Sequence, residues 1–337
     1  RLATTTEEQL IVPENESPWD AIVLGAGLAG LSAAIYLGRA LRKTLVIHSG
    51  KSMAAWEPDV QNYLGFPEGI AGEDLLVRGR KQAERFDVQF IEAEILEARK
   101  VGEIFELRSN TAEYRASRVL LATGIFHIPP DINGVSECLG HSMYFCKDCD
   151  GYRVQDKPIG VYGSNNDAVE YALAMLTYTP TVAVFTDGHK VVWDQQHEGL
   201  LHEYNIPVYP QKVDRLKHTA GRIRSLVFED GAEVVLEALF TTRGDIYFNK
   251  IAKGLGAKVD EEGQIVVDHR MGTSVPGLYA AGCVTPANCQ MIIAAGEGAI
   301  AAQAMNRALF QESIRNHSLK QVRSHQLKTE RTAPVVF

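Results

Sequence analysis

The sequence predicts an α/β protein built from two dinucleotide-type units. Three observations carry this. Short β-rich runs alternate with helical stretches, glycine turns stand at the strand-to-helix junctions near Gly25 and Gly163, and the 337 residues are about twice the commonest domain size. A composition of 45% hydrophobic and 23% charged residues excludes a mainly disordered, collagen-like or multi-span membrane chain. A net charge of −8 argues against a nucleic-acid binder, which needs a basic face to neutralise phosphate. Five cysteines are too few for an extracellular disulfide framework, and their odd number leaves at least one thiol unpaired within the chain.

Residues 1–18, with Glu7, Glu8, Glu14 and Glu16, lack the basic-then-apolar order of a secretory signal, so the expected compartment is the reducing cytoplasm. Strands are expected at 21–24, 44–48, 88–92, 105–108, 119–122, 159–162, 182–185, 226–228, 265–267 and 278–280, and helices at 28–42, 73–86, 167–178 and 292–312. The uncharged stretch 21–38 has the length of a membrane span, but Gly25, Gly27 and Gly30 divide it into strand, tight turn and helix. The stretch 271–296 is divided likewise by Pro276, Pro286, Asn288 and Gln290. From Arg307 onward the charge balance reverses, with Arg307, Arg315, Lys320, Arg323, Lys328 and Arg331 against Glu312 and Glu330. The plain expectation there is a solvated helix end and a frayed tail; the functional ones are an active-site flap using Val335, Val336 and Phe337, or contact with an acidic partner or lipid surface.

The string Gly25-Ala26-Gly27-Leu28-Ala29-Gly30 follows an apolar strand and opens a helix, the context that makes this pattern a dinucleotide fingerprint. Gly25 permits the turn, Gly27 lets backbone approach a pyrophosphate, and Gly30 lets helix and strand pack closely. The helix N-terminus offers unpaired N–H groups to the phosphates. An acid for the ribose hydroxyls is absent from the end of the second strand, leaving His48 or Ser49 to serve.

Cys146-Lys147-Asp148-Cys149-Asp150-Gly151 is the most informative string. Two cysteines at this spacing can form a reducible disulfide, and local charge can make one thiolate available for exchange. A zinc site would need a second such pair, and Cys283 and Cys289 are six apart with no flanking histidine. Asp150 is placed to take or give a proton as thiol becomes thiolate, a role compatible with capping a helix.

Together these strings resemble the low-molecular-weight thioredoxin reductase family of flavoproteins over residues 19–310. The resemblance adds Gln61-Asn62-Tyr63-Leu64-Gly65-Phe66-Pro67 followed by Gly72, Ala122-Thr123-Gly124, Pro276-Gly277-Leu278-Tyr279-Ala280-Ala281-Gly282, and Gln290 before an Ala-Ala-Gly helix turn. It implies two Rossmann-like, three-layer ββα dinucleotide-binding domains. One would be a discontinuous FAD domain of 19–129 plus 266–337, the other an inserted domain of 130–265 carrying the cysteines, with 1–18 as an extension. By the resemblance FAD would contact Gly25, Gly27, Leu28, Ala29, Gly30, His48, Ser49, Asn62, Ala122, Thr123, Gly124, Gly282, Cys283, Val284, Gln290 and Met291. Cys149 would be the flavin-facing sulfur, Cys146 the interchange sulfur and Asp150 the acid–base group. It also implies a homodimer whose inserted domain swivels to present the disulfide to the flavin or to a thioredoxin-like partner or other dithiol.

The sequence departs from the family in the second unit. Gly163-Ser164-Asn165-Asn166-Asp167 keeps the first glycine but places Asn165 where backbone must approach pyrophosphate, and Asp187 stands where the arginines for a 2′-phosphate would be. This pattern resembles branches that have lost NADPH use: one reduced by ferredoxin, and the diflavin-linked disulfide oxidoreductases of oxygenic photosynthetic prokaryotes, which hold a second FAD. The expectation is an FAD-dependent disulfide oxidoreductase not using NADPH, with Gly163, Asn165, Asn166, Asp167 and Asp187 lining a site for a second FAD, NADH or nothing, and electrons running from dithiol to flavin in the diflavin case. The alternatives are a ferredoxin- or NAD(P)H-dependent reductase, and a redox sensor whose basic tail binds a partner or membrane. Cys283 stands where the family has an aspartate, so it either adds a thiol near the flavin or is buried and inert; Cys138 and Cys289 are expected to be buried and inert. Tyr144, Phe145, Tyr152 and Trp193 are core aromatics or, in the diflavin reading, stacking groups.

Overall fold

The computed structural model describes residues 17–319 of the chain. The acidic residues expected at the N-terminus, the Val335–Val336–Phe337 flap, and Lys320, Arg323, Lys328 and Arg331 of the basic tail lie outside the described residues.

The first sheet opens with β1 (Trp19–Leu24), β2 (Thr44–His48) and β3 (Gln89–Glu92), all parallel. Its apolar runs Ala21-Ile22-Val23-Leu24 and Leu45-Val46-Ile47 are buried because a parallel sheet is covered on both faces. An antiparallel meander follows, β4 (Ile95–Val101), β5 (Ile104–Ser109) and β6 (Glu113–Leu121), and β6 returns to lie parallel to β1. α1 (Leu28–Arg39) and α2 (Gly72–Glu84) connect the parallel strands.

The chain then leaves through β7 (Ile125–His127) and α3 (Val135–Cys138). A second sheet forms from β8 (Met143–Tyr144), β9 (Ile159–Tyr162), β10 (Val182–Phe185) and β11 (Val208–Tyr209), with α4 (Lys147–Asp150), α5 (Asn166–Met175) and α6 (Gln195–Glu203) between them. A three-stranded antiparallel sheet, β12 (Val213–Thr219), β13 (Arg222–Phe228) and β14 (Glu233–Val235), leads into β15 (Ala238–Thr241). β15 inserts between β8 and β9 to give the parallel order β11-β10-β9-β15-β8. β16 (Asp245–Tyr247) runs back antiparallel to β7, so the outgoing and returning connections lie side by side. After α7 (Lys250–Gly254), β17 (Leu278–Ala280) joins β6 in the first sheet, and α8 (Met291–Arg315) ends the described chain. One mixed and one parallel sheet with flanking helices are the α/β class predicted from the sequence. Among the described residues, no helix is long and apolar enough to cross a membrane.

The structure corrects one strand and adds others. Residues 265–267 form no strand; Ile265 makes only an isolated bridge to Val259. β4 was not expected because Glu97, Arg99 and Lys100 break its apolar pattern, a charge content that suits the sheet edge it forms. α6 is polar, and its start is fixed by Asp194, whose carboxylate accepts the His197 N–H at 2.9 Å.

The first core packs Val23, Ala33, Leu37, Leu120, Ala301 and Met305 between sheet, α1 and α8. Here glycine is required by contact. A Cβ on Gly25, at φ +111°, would stand 2.1 Å from Ala122 O, one on Gly30 1.9 Å from Gly25 O, and one on Gly298 2.0 Å from Ala29 O. Gly298→Ala is therefore expected to force α8 off α1 and to cost about 1–3 kcal/mol. Gly296→Ala, on the same helix but with open space at its Cβ position, is expected to be neutral or to stabilise by about 0.5–1 kcal/mol. Urea unfolding of the two variants checks the pair, and equal midpoints would show that the close approach is not what Gly298 supplies.

Candidate active site

Gly27 is the N-cap of α1 and has no side chain to cap the helix, so its first N–H groups are left for a ligand. A Cβ on Gly27 would meet only Ser52 Oγ, at 3.6 Å, and one on Gly124, at φ +68°, would meet nothing within 4 Å. The turn at 25–30 and the Ala122-Thr123-Gly124 segment thus leave backbone open for an anionic, elongated ligand. Leu28 is half-buried and Ala29 buried against α8. Thr123 Oγ donates to Phe248 O at 2.7 Å, which ties this edge to the returning chain.

His48 ends β2, with Nδ1 accepting the Gly50 N–H at 3.1 Å and Nε2 facing Arg80 Nη1 at 3.5 Å. Burial, then the Arg80 charge, hold its imidazole below the ordinary histidine value despite Glu92. Ser49 is exposed beside it. The carboxylate missing from the end of β2 is present on its neighbour: Glu92 pairs in register with His48, and a Cβ on Gly50 would stand 2.8 Å from Glu92 Oε1. Reading along one strand could not find it, because strand pairing brings it there.

Cys146 and Cys149 form a disulfide. Cys146 caps α4, its sulfur accepting the Cys149 N–H at 3.1 Å. Gln290 Nε2 lies 3.3 Å from both sulfurs, and Gln290 Oε1 accepts from Asn62 Nδ2 at 3.0 Å. Asn62, Gln290 and both cysteines, which the sequence singled out separately, therefore meet at one point.

Asp150 is only 4% exposed and accepts from Arg153 Nε at 3.0 Å. Burial, then the nearby Glu57 carboxylate, push it up to about 7 in spite of Arg153. Such a group can hold or release a proton near neutral pH. Arg153 also reaches Asp59 Oδ2 at 3.0 Å, tying the cysteine segment to the first unit. Glu57, Asp59 and Arg153 carry no motif and were not singled out; the only signal is that Arg153 lies three residues after Asp150.

On the far side, Gly282 at φ +83° donates its N–H to Glu297 Oε2 at 2.7 Å, and Thr285 Oγ donates to the same oxygen at 3.1 Å. Val284 is fully buried, and Met291 packs against the Val60, Ile70 and Leu75 cluster. The expectations for two cysteines are corrected here. Cys283 and Cys289 are bonded to each other, with Cα atoms 4.8 Å apart, and Cys289 is exposed rather than buried. The 282–290 loop folds back on itself through Thr285 N–H to Gly282 O at 2.9 Å and Ala287 N–H to Thr285 O at 2.7 Å, which brings the cysteines together. Cys138 is free and buried, and burial pushes its thiol up. Tyr144 is core, Phe145 stacks on His127 at 4.8 Å, Tyr152 is exposed, and the half-buried Trp193 donates to Glu198.

The second turn is built differently. A Cβ on Gly163 would stand 2.2 Å from Thr242 Oγ and 2.8 Å from the Ala168 Cβ, so packing already excludes a side chain here. Asn165 caps α5 with its own side chain, accepting the Ala168 N–H at 3.2 Å and donating to Asp167 at 2.9 Å. Asn166 is held by Asp194, and the Val192 N–H donates to Ser164 O at 2.8 Å, so the loop before α6 lies against the turn. Asp187, at φ +52°, accepts from the Val213 N–H at 2.6 Å with one oxygen and from the Tyr162 hydroxyl with the other. Where α1 leaves its N-terminal N–H groups open, α5 has already used one.

A model of the pyridine nucleotide-disulphide oxidoreductase family matches residues 19–308. The thioredoxin reductase of Treponema pallidum is 31% identical over 300 residues, covering 86% of this chain and 96% of its own. Among solved structures, HlmI superposes with a TM-score of 0.84 at 30% identity, covering 90% of this chain and 96% of its own. The Lactococcus lactis thioredoxin reductase in its FR conformation scores 0.57 at 25% identity, over 87% of this chain and 99% of its own. A low score at nearly full coverage is what a different mutual orientation of two similar units produces.

Reduction of an external disulfide by the cysteine pair needs a proton donor, and protonated Asp150 is lost as pH rises through about 7. The rate is expected to fall along a limb with that midpoint, and Asp150→Asn to remove the limb and slow exchange about a hundredfold. A limb that survives the substitution would assign the proton to another group. Stability carries the same sign. A carboxyl raised above its ordinary value contributes stability that is fully present below about pH 4 and lost by the time pH passes about 7, so Asp150→Asn should flatten that slope in thermal unfolding.

Proposed function

This chain belongs to the pyridine nucleotide-disulphide oxidoreductase family, and from that premise we propose that it is a thioredoxin reductase-like FAD enzyme that exchanges two electrons between flavin and the Cys146–Cys149 disulfide without using NADPH. The observation that carries the reading is the meeting of Asn62, Gln290 and both sulfurs at the mouth between the two units. FAD fits the open α1 N-terminus and the uncrowded backbone at Gly27 and Gly124, and when bound supplies a two-electron donor or acceptor.

This chain's residues do the rest. The turn at 25–30 binds pyrophosphate, His48, Ser49 and Glu92 border the ribose, and the Ala122-Thr123-Gly124 segment with Gly282, Cys283 and Val284 lines the remaining length. Gln290 orients the disulfide, Cys149 is the flavin-side sulfur, Cys146 the interchange sulfur, and Asp150 moves the proton. The inserted unit, 130–265, swivels against the FAD unit, and the Asp59–Arg153–Asp150 cluster and the Gln290–cysteine contacts are among those that open. A thioredoxin-like protein or another dithiol is the proposed partner, in the cytoplasm. A homodimer is supported by the exposed apolar residues Ile293, Ile300, Phe310 and Ile314 along α8.

Loss of NADPH use rests on Asn165 and Asp187. The self-capped α5 offers fewer N–H groups to a pyrophosphate, and an acid at the end of β10 repels a 2′-phosphate. A second FAD at 163–167 is the finer form of the proposal, with electrons then running from dithiol to flavin. It requires Asn165 to release the Ala168 N–H.

Anaerobic NADPH is expected to leave the oxidised flavin absorbance unchanged; rapid bleaching would return the chain to the nicotinamide-dependent reading that the family's description favours, with ferredoxin as the other donor. Denaturation should release FAD, and two per chain supports the second site, whereas one removes it. Cys146→Ser is expected to abolish electron exchange with external dithiols while FAD stays bound.

A further inference from the structure

We propose that Cys283–Cys289 is a second redox-active disulfide, opened by the Cys146/Cys149 dithiol, and that Cys289 is the port through which a thiol or disulfide partner exchanges electrons with the enzyme in the closed arrangement. The proposal rests on the reading that Cys146–Cys149 exchanges electrons with flavin.

Exposure separates the two pairs. Cys146 and Cys149 are both half-buried beneath the Gln290 amide, whereas Cys289 is exposed. Continuity joins them. Gln290, whose Nε2 lies 3.3 Å from each sulfur of the first pair, is the residue after Cys289, so one peptide unit and one side chain separate the two disulfides.

A purely structural role explains the bridge poorly. It spans a sequence separation of 6, a loop whose closure removes less unfolded-chain entropy than a long one. The loop is already held by Thr285 N–H to Gly282 O, Ala287 N–H to Thr285 O, Gln290 N–H to Asn288 O, and Gly282 N–H to Glu297. Cys289 also stands two residues before the first residue of the 25-residue α8, where the helix dipole favours a thiolate over a thiol.

The exchange balances without any further reagent. The Cys146 thiolate attacks Cys289 Sγ, the Cys283–Cys289 bond breaks, and Cys283 leaves as thiolate. The Cys149 thiolate then attacks Cys146 Sγ and releases Cys289. One dithiol is oxidised, one disulfide is reduced, two electrons move, and the protons on the first pair pass to the second. The reverse sequence takes electrons from a partner dithiol inward.

The test is an anaerobic dithionite titration of the holoenzyme, quenched stepwise with isotope-coded N-ethylmaleimide and mapped by mass spectrometry. Cys283 and Cys289 are expected to be unlabelled in the oxidised enzyme and labelled after reduction. In Cys146→Ser/Cys149→Ser they should stay unlabelled although the flavin is reduced. Cys283→Ser/Cys289→Ser should take up two fewer electrons per chain than wild type after both are normalised to the FAD each releases on denaturation. Cys149→Ser/Cys283→Ser should yield a Cys146–Cys289 cross-linked peptide on mild oxidation. Labelling of Cys146 and Cys149 without Cys283 and Cys289 in reduced wild type overturns the relay and leaves the flavin–disulfide reading intact, as does equal labelling of Cys283 and Cys289 in Cys146→Ser/Cys149→Ser. Failure of Cys146 and Cys149 themselves to reduce sinks that reading instead.

Discussion

The close approach of α1 to its neighbours on both sides is the constraint on which the first unit depends. Gly25 presses against Ala122, Gly30 against the Gly25 carbonyl, and Gly298 against the Ala29 carbonyl, each at a distance that excludes any side chain. These contacts draw the 25–30 turn, the 122–124 segment and α8 together. Neither α1 nor α8 has a side-chain cap, and their uncapped starts both face the proposed cofactor site. A looser packing would free the helix ends to drift and would lose the open backbone between them.

The two glycine turns show how one residue changes the use of a shared architecture. Both follow a buried parallel strand and open a helix. In the first, Gly27 has no side chain to spend and leaves its N–H groups to a ligand; in the second, Asn165 satisfies its own helix. Asp187, in turn, spends both carboxylate oxygens on Val213 and Tyr162. Polar groups at a binding site compete with their own scaffold, and here the scaffold has taken them.

Much of this was legible in the sequence because the signals were local. The buried strands β1, β2 and β9 are short apolar runs, α1 follows a glycine turn, and the Cys-x-x-Cys string announces its own chemistry. What escaped detection depends on pairing across the fold. Glu92 reaches the His48 end through strand register, Glu297 reaches Gly282 from α8, and Arg153 finds Asp59 across the gap between units. The bond between Cys283 and Cys289 escaped for a related reason. Their spacing fits no metal or redox motif, and only the folded-back loop brings them within reach.

The Asp59–Arg153–Asp150 cluster has a kinetic consequence. It links two oppositely placed carboxylates through one guanidinium across the boundary between the units, and Arg153 is partly open to solvent. Charges at such a boundary are screened by mobile ions, with a Debye length of about 8 Å at physiological ionic strength. Salt would weaken the clasp while leaving the apolar cores untouched. If the units swivel as proposed, the concentration of simple ions becomes a throttle on how often the two halves part, and couples the pace of turnover to the composition of the surrounding solution.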